Sequence, residues 1–346
     1  MLDESTLARI LDALPKLSMA LVGDLFLDKY LDLEAGLTET SVETGLDAWQ
    51  IVRVRCYPGA GGTVLNNLRA LGVGRLHAVS VIGSDGEGFE LLRALRDRHV
   101  ETAGVVVRSD RMTPTYTKPM LSQPGGPARE LNRLDIKNRA AASADQDREV
   151  IAQLDALAGN VQAVIIADQV TERNQGVITD AVREHLADLA ARRPNCVFLA
   201  DSRRHIGLFR NCAAKPNRSE LLEAMPATVG AKAAAATHLD VRSAASALSR
   251  RTGRAVYATV GPDGIICVDG EAGQHIPGIP VSGPIDIVGA GDSTTAGIVS
   301  ALCAGATPAQ AAHLGCLVAS ITIQQLGVTG TATPAQVRTR LLETGR

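Results

Sequence analysis

Asp286-Ile287-Val288-Gly289-Ala290-Gly291-Asp292 runs straight into an apolar helical pattern of Ala296, Ile298, Val299 and Leu302. Two glycines separated by one small residue bare the backbone at a helix start. The N–H groups there lack intrahelical partners and can converge on an anion. A carboxylate beside such a nest repels the anion it should bind. The arrangement makes sense if Asp292 takes a proton from a nucleophile while the N–H groups steady a phosphoryl group in transfer. A tight strand-to-helix turn capped by Asp292 is the competing reading of the same letters.

Three further segments carry polar groups at places where backbone and ligand can meet. Asp24 closes an apolar strand pattern after Leu21-Val22-Gly23, so its carboxylate can face a crevice and accept from hydroxyls, or simply cap a turn. Pro58-Gly59-Ala60-Gly61-Gly62-Thr63-Val64 opens a helix, with Thr63, Asn66 and Asn67 on its first turns. Its glycines permit close approach of a ligand, or serve only unusual dihedrals. Asn217-Arg218-Ser219-Glu220 places two oxygen-bearing side chains three residues apart. That spacing suits water held around a magnesium–phosphate group and suits a capping box equally. No G-x-x-x-x-G-K-[ST] loop is present, and the third position of a dinucleotide fingerprint after Gly289 and Gly291 is Thr294. The seven histidines are dispersed, and none of the six cysteines forms a C-x-x-C pair, which argues for thiols buried as small apolar groups.

The elements that must position these groups alternate. Strand-like runs at Met19–Val22, Leu76–Ile82, Val161–Ala167, Val197–Ala200, Ala255–Val260 and Ile265–Val268 are interleaved with helical patterns at Val64–Leu71, Phe89–Leu95, Val177–Leu189 and Ala244–Leu248. The spacing predicts a three-layer α/β/α fold with a mostly parallel central sheet. Ala233 to Ala236 reads as helix. Two stretches break the alternation, about residues 30–58 and 108–136. Gln50 to Arg55 has period-2 strand character, and Thr113–Met120 and Arg129–Ile136 read as strands joined through Gln123-Pro124-Gly125-Gly126-Pro127. They predict a small β lid on one domain spanning 1–346.

With 45% hydrophobic and 21% charged residues and a net charge of -2, the 346-residue chain has the composition of a globular protein without a nucleic-acid or acidic-membrane partner. No apolar run reaches membrane-spanning length and the start is acidic, so a cytoplasmic location is expected.

Taken in order, these motifs resemble the PfkB carbohydrate kinase family, whose fold is ribokinase-like. The resemblance includes Gly23-Asp24, the glycine-rich stretch 58–67, Gly83-Ser84-Asp85-Gly86-Glu87-Gly88, Lys215 to Glu220, Thr259-Val260-Gly261-Pro262-Asp263-Gly264 and the signature Asp286 to Asp292. Val22 to Tyr30, Arg133-Leu134-Asp135 and the Asp201 segment look like the kinase half of bacterial heptose-phosphate kinase/adenylyltransferases, without the adenylyltransferase half. The resemblance implies ATP-dependent phosphorylation of a sugar or sugar phosphate, with Asp292 as general base. Gly289 would allow the approach, and the N–H groups of Ala290, Gly291 and Asp292 would hold the phosphoryl oxygens. Asp24, Gly59, Thr63, Asn67 and Arg133 would bind the sugar. Thr259, Gly261 and Gly264 would bind the nucleotide, Asn217 and Glu220 would organise Mg²⁺, and Asp286 would match a monovalent-cation (K⁺) ligand. It also implies a homodimer formed through the lid.

Three positions depart from the family pattern: Thr63 stands where an Asn is usual, Ile287 where a Thr is usual, and Ser202-Arg203 where heptose kinases carry Pro-Lys. A non-catalytic sensor and a nucleoside or vitamin kinase are the rival readings. Intact Gly289-Ala290-Gly291-Asp292 weighs against the first, and few aromatics to stack on a base weigh against the second. Arg53, Arg55, Lys118 and Arg133 on the lid segments suit a phosphorylated acceptor, or else form the solvent face of short strands.

Overall fold

Strands that are apolar at every position must be covered on both faces. In Ser18–Gly23, Leu21 joins one buried cluster with Ile165, Leu199 and Tyr257, while Ala20 and Val22 join another with Val164, Ile166 and Phe198. Side chains alternate across a strand, so these are the two faces of one sheet. The computed structural model describes residues 1–122, 128–226 and 237–344. The Gln123–Pro127 turn and the Ala233–Ala236 helix expected above lie outside the described residues.

Among the described residues the sheet has nine strands. From one edge they run Val100–Arg108, Arg75–Gly83, Ser18–Gly23, Ala163–Asp168, Val197–Ser202, Ala213–Ala214, Val256–Thr259, Ile265–Asp269 and Ala272–Ile276. Pairing is parallel through Val256–Thr259 and antiparallel for the last two pairs. Helices Gly61–Leu71, Ala290–Cys303 and Pro308–Thr322 cover one face; Ala144–Ala158, Asp180–Arg192 and His238–Thr252 cover the other. The helix expected from Val177 starts at Asp180, because Thr179 caps it by accepting from the Val182 N–H at 3.2 Å. All six cysteines are free thiols.

The lid is a second sheet, ordered Leu134–Ile136, Thr115–Ser122, Leu25–Glu34 and Ile51–Ala60, with Arg129–Glu130 paired to Thr115–Ser122. It starts at Leu25, earlier than the residue-30 boundary expected from sequence, and the strand Val100–Arg108 belongs to the central sheet. The chain passes between the sheets at Gly23 and Asp24 with no intervening loop. Gly23 has φ +142°, and a Cβ there would lie 2.1 Å from the carbonyl oxygen of Ala167. Only glycine permits that close turn.

The helix carrying Asp292 is held by its neighbour at a contact between small residues. A Cβ on Gly297 would sit 2.9 Å from the Gly315 Cα on Pro308–Thr322. Gly297→Leu should therefore overpack the pair and cost about 1–3 kcal/mol in urea unfolding. An unchanged midpoint would mean that these helices can part freely.

Candidate active site

Gly289, at φ +79°, precedes helix Ala290–Cys303. The Ala290 N–H donates to the Ile287 carbonyl at 3.1 Å, and the first intrahelical bond is Ser293 N–H to Gly289 C=O at 2.9 Å. Ala290 is therefore spent in the turn, contrary to its expected place in the anion nest. The N–H groups of Gly291 and Asp292 stay at the open helix end. They face a cavity of about 480 Å³ between the lid and the carboxyl ends of the central strands.

Seven expected residues besides Asp292 line this cavity: Gly289, Gly291, Thr63, Arg133, Asn217, Glu220 and Thr259. The glycine conformation at 289 fits its surroundings, since a Cβ would meet Thr329 Cγ2 at 2.7 Å. Asn217 and Glu220 form a true capping box: Asn217 Oδ1 accepts from the Glu220 N–H at 2.9 Å, and Glu220 Oε2 accepts from the Asn217 N–H at 2.7 Å. The capping-box reading of that tetrapeptide therefore holds, and the capped pair also borders the cavity. Arg133 stacks 4.2 Å from the Tyr116 ring centroid and pairs with Asp135 through Nε at 2.7 Å.

Other expected residues have different surroundings. Asp24 does not line this cavity. It is buried, with Oδ2 accepting from the N–H groups of Gln169 (2.7 Å) and Val170 (2.9 Å) and Oδ1 from that of Val177 (2.8 Å). Burial, with the nearby charge of Asp168, pushes its carboxyl up to about 6 against the pull of those three donors. Asn67 is fully buried and donates to the Thr63 carbonyl at 3.0 Å. Gly59 does not line the cavity, and a Cβ there would come within 2.5 Å of the cavity-lining Asp28 Oδ2. Gly261 and Gly264, at φ +66° and +96°, shape a turn, and a Cβ on Gly264 would lie 2.2 Å from the Ile276 carbonyl oxygen. Asp286 accepts from the N–H groups of Val288 (3.0 Å) and Gly327 (3.3 Å), tying two loops together. Of the lid cations, Lys118 and Arg133 reach the cavity. Arg55 is locked to Asp32 by two hydrogen bonds of 2.9 and 2.6 Å, and Arg53 is exposed.

Four groups without an assigned role from sequence prove central: Asp28, Asp201, Arg203 and Lys215. Asp28, paired with Lys118 Nζ at 3.0 Å, is the lid strand's contribution. Its signal was the period-2 face Phe26, Asp28, Tyr30. Lys215 is buried with its Nζ 3.0 Å from Asp201 Oδ2, which also accepts from Thr295 Oγ1 at 3.1 Å. The same ammonium lies 3.6 Å from where a Gly291 Cβ would stand, at the open helix end.

The charges set one another's protonation. Burial pushes Asp292 up to about 7; Asp201 adds to this, while Lys215 and Arg203 oppose it. Glu220 is pushed up to about 7 by burial and then by Asp201. Burial pulls the Lys215 ammonium down, but Asp201, Glu220 and Asp292 outweigh it and hold it above an ordinary lysine. A carboxyl group near neutrality, open N–H donors and a buried cation in one cavity are the groups that a group-transfer site requires, with the carboxyl and the donors on the same helix turn.

Comparison with known proteins agrees with that class. Residues 41–336 match the model of the pfkB family carbohydrate kinases. The bifunctional protein HldE of Gluconacetobacter diazotrophicus is 29% identical over 322 residues, covering 92% of this chain and 63% of that protein. HldE of Trichlorobacter lovleyi is 27% identical over 348 residues, covering 97% and 65% respectively. The chain thus spans under two thirds of the length of these curated relatives. Phosphofructokinase-2 from Escherichia coli, solved with potassium, superposes with a TM-score of 0.69 at 18% identity, covering 95% of this chain and all of that one. Ribokinase from Thermotoga maritima superposes at 0.63 with 18% identity, covering 94% and 99%. The fold is therefore ribokinase-like. The chain belongs to the pfkB family of carbohydrate kinases, phosphotransferases acting on a sugar hydroxyl.

Removing one partner of the Lys215–Asp201 pair should be costly, since it strands a buried charge. Lys215→Met should lose about 3–5 kcal/mol in denaturant unfolding, and adding Asp201→Asn should restore part of it. Equal stability of the single variant and wild type would mean that the pair contributes nothing.

Proposed function

We propose that this chain transfers the γ-phosphoryl group of ATP to a hydroxyl of a phosphorylated sugar, with Asp292 as general base. The observation that carries the reading is the juxtaposition of Asp292, the open N–H groups of Gly291 and Asp292, and the Lys215 ammonium in one cavity. The sugar oxygen bonds to the γ-phosphorus as the bond to the ADP oxygen breaks, and its proton passes to an Asp292 carboxylate oxygen. The two N–H groups and Lys215 hold the phosphoryl oxygens, where negative charge is spread in the transition state. Asp28 on the lid and Thr63 on helix Gly61–Leu71 line the cavity and would orient the sugar.

The residues present fit a magnesium ion held through water. Asp201, Glu220 and Asp292 place three carboxylates around Lys215, yet no described group of three such ligands could hold a metal directly. Mg²⁺ commonly keeps several waters and binds through nucleotide phosphates, whose charge it would neutralise. Asn217 and Glu220 are the residues that would hold those waters. Asp286 would serve a K⁺ site only through oxygens that already tie its two loops.

The phosphate preference rests on a side cavity of about 250 Å³ that shares Phe26, Tyr116, Gln169 and Arg203 with the main one. Arg111, Lys137 and Arg139 border it. Basic charge for an acceptor phosphate thus lies here rather than on Arg53 and Arg55. The lid's outer strand leaves Ile51, Val52 and Val54 about half exposed on a sheet edge with no pairing strand among the described residues, which supports pairing of two lids in a homodimer. No described helix is long and apolar enough to cross a membrane. A cytoplasmic enzyme using the ATP pool fits this reading.

A screen of sugars and sugar phosphates for ADP release is the direct test. Phosphorylated acceptors should exceed their parent sugars in kcat/KM, and equal values would reduce the protein to a plain sugar kinase. Asp292→Asn should keep ATP binding in calorimetry while kcat falls about 10²–10⁴-fold. Wild-type turnover in that variant would remove Asp292 from the mechanism. The base works only when ionised, and its carboxyl titrates at about 7. Wild-type kcat/KM should therefore fall as pH drops through that region, and a flat profile between pH 6 and 8 would contradict the assignment.

A further inference from the structure

We infer that Asp24 is a positioning residue, a clamp that closes the neck of loop 169–177 and so holds one wall of the acceptor site. The inference rests on the kinase reading only for its kinetic readout.

The three backbone donors that fill the Asp24 carboxylate come from the two ends of a single loop. Gln169 and Val170 stand at its start, and Val177 at its end. The loop leaves strand Ala163–Asp168 and returns just before helix Asp180–Arg192. Each Asp24 oxygen serves one end, Oδ2 the start and Oδ1 the finish, so the carboxylate spans the neck. The fit is close: a Cβ on Gly176 would lie 2.7 Å from Asp24 Oδ1 and 2.9 Å from the Val170 Cβ. Arg111 holds the loop again nearer its tip, donating through Nη2 to the Gln175 carbonyl at 2.6 Å.

What the loop carries gives the clamp its consequence. Gln169, Val170, Thr171 and Gln175 line the side cavity, and Gln169 also lines the cavity containing Asp292. Asp24 borders the side cavity too, but both of its oxygens are occupied by the donors at the loop's two ends. Gln169 Oε1 accepts from Arg203 Nε at 2.9 Å, which fixes the cation shared by the two cavities. A carboxylate is acceptor-only when ionised, and here it meets three donors. An amide in its place offers one oxygen and an NH₂ group, which must face an N–H donor at one end of the neck. Asp24→Asn therefore keeps the shape of the side chain and opens one side of the clamp.

The test combines hydrogen exchange of the full chain without ligands and steady-state kinetics with the best acceptor from the screen. In Asp24→Asn, the amides of residues 169–177 should exchange at least about tenfold faster, since hydrogen bonds to a charged group carry more than a factor of ten. The central strands should keep wild-type protection. Acceptor KM should rise several-fold with ATP KM unchanged. Gly176→Ala approaches the same clamp from the loop side and should reproduce both effects, so a folding failure of Asp24→Asn leaves the test intact. Unchanged exchange of 169–177 in the variants would overturn the clamp. Faster exchange without any rise in acceptor KM, or equal rises for ATP and acceptor, would overturn its link to the acceptor site. Wild-type protein that phosphorylates no acceptor would count against the kinase reading alone, and the exchange result would still decide the clamp.

Discussion

The ion pair between Lys215 and Asp201, 3.0 Å long and nearly closed to solvent, is the constraint on which the rest of the site depends. Three carboxylates, Asp201, Glu220 and Asp292, converge on one buried ammonium. Burial pushes the Asp292 and Glu220 carboxyls up to about 7. The lysine keeps them from rising further and keeps Asp201 in place against Thr295, three residues after Asp292 on the same helix. Thus one cation links two strand ends of the central sheet to the helix that carries Asp292.

The second theme is that the site is assembled between two sheets that meet with no linker. Gly23 turns the chain from the central sheet into the lid at a point where no side chain fits, and Asp24 then faces inward rather than into the main cavity. The lid side of the cavity is therefore supplied by Phe26 and Asp28, further along the same strand, and by Tyr116, Lys118 and Arg133. Asp28 is itself held by Lys118 at 3.0 Å, so it stands ready for a polar ligand without being an isolated charge. Such mutual pairing is how four acids and four bases can share the lining of one cavity.

Much of this was legible in the residues. Unbroken apolar strands between helical patterns determined a covered parallel sheet, because no other arrangement buries both faces. Gly289, Gly291 and Asp292 were legible as a bare helix start beside a carboxylate, a pattern suited to an anion and a base, and the structure opens that helix end on the cavity. The family resemblance rested on the same letters. Strand Leu25–Glu34 lacks a sharp period and was not legible, because its polar positions face a cavity or solvent in no simple alternation. Helix Ala144–Ala158 buries every fourth residue, Gln146, Val150, Leu154 and Ala158, but a polar Gln146 in that stripe and few apolar residues around it blur the signal. Lys215 was visible as a letter, but nothing local indicates that its partner is Asp201 on another strand.

By itself the sequence determined the fold class, the helix start that bears Asp292 and the chemistry that start can perform, all of which follow from neighbours within a few residues. Only the tertiary structure decided between Asp24 and Asp28. Both are carboxylates at the same strand-to-lid junction, four residues apart. One meets three backbone donors from a loop about 145 residues away and is spent holding it. The other meets a lysine across the lid and faces the cavity. Which oxygen is free for a substrate depends on the donors that distant segments bring to it, and those are settled by packing rather than by the local pattern.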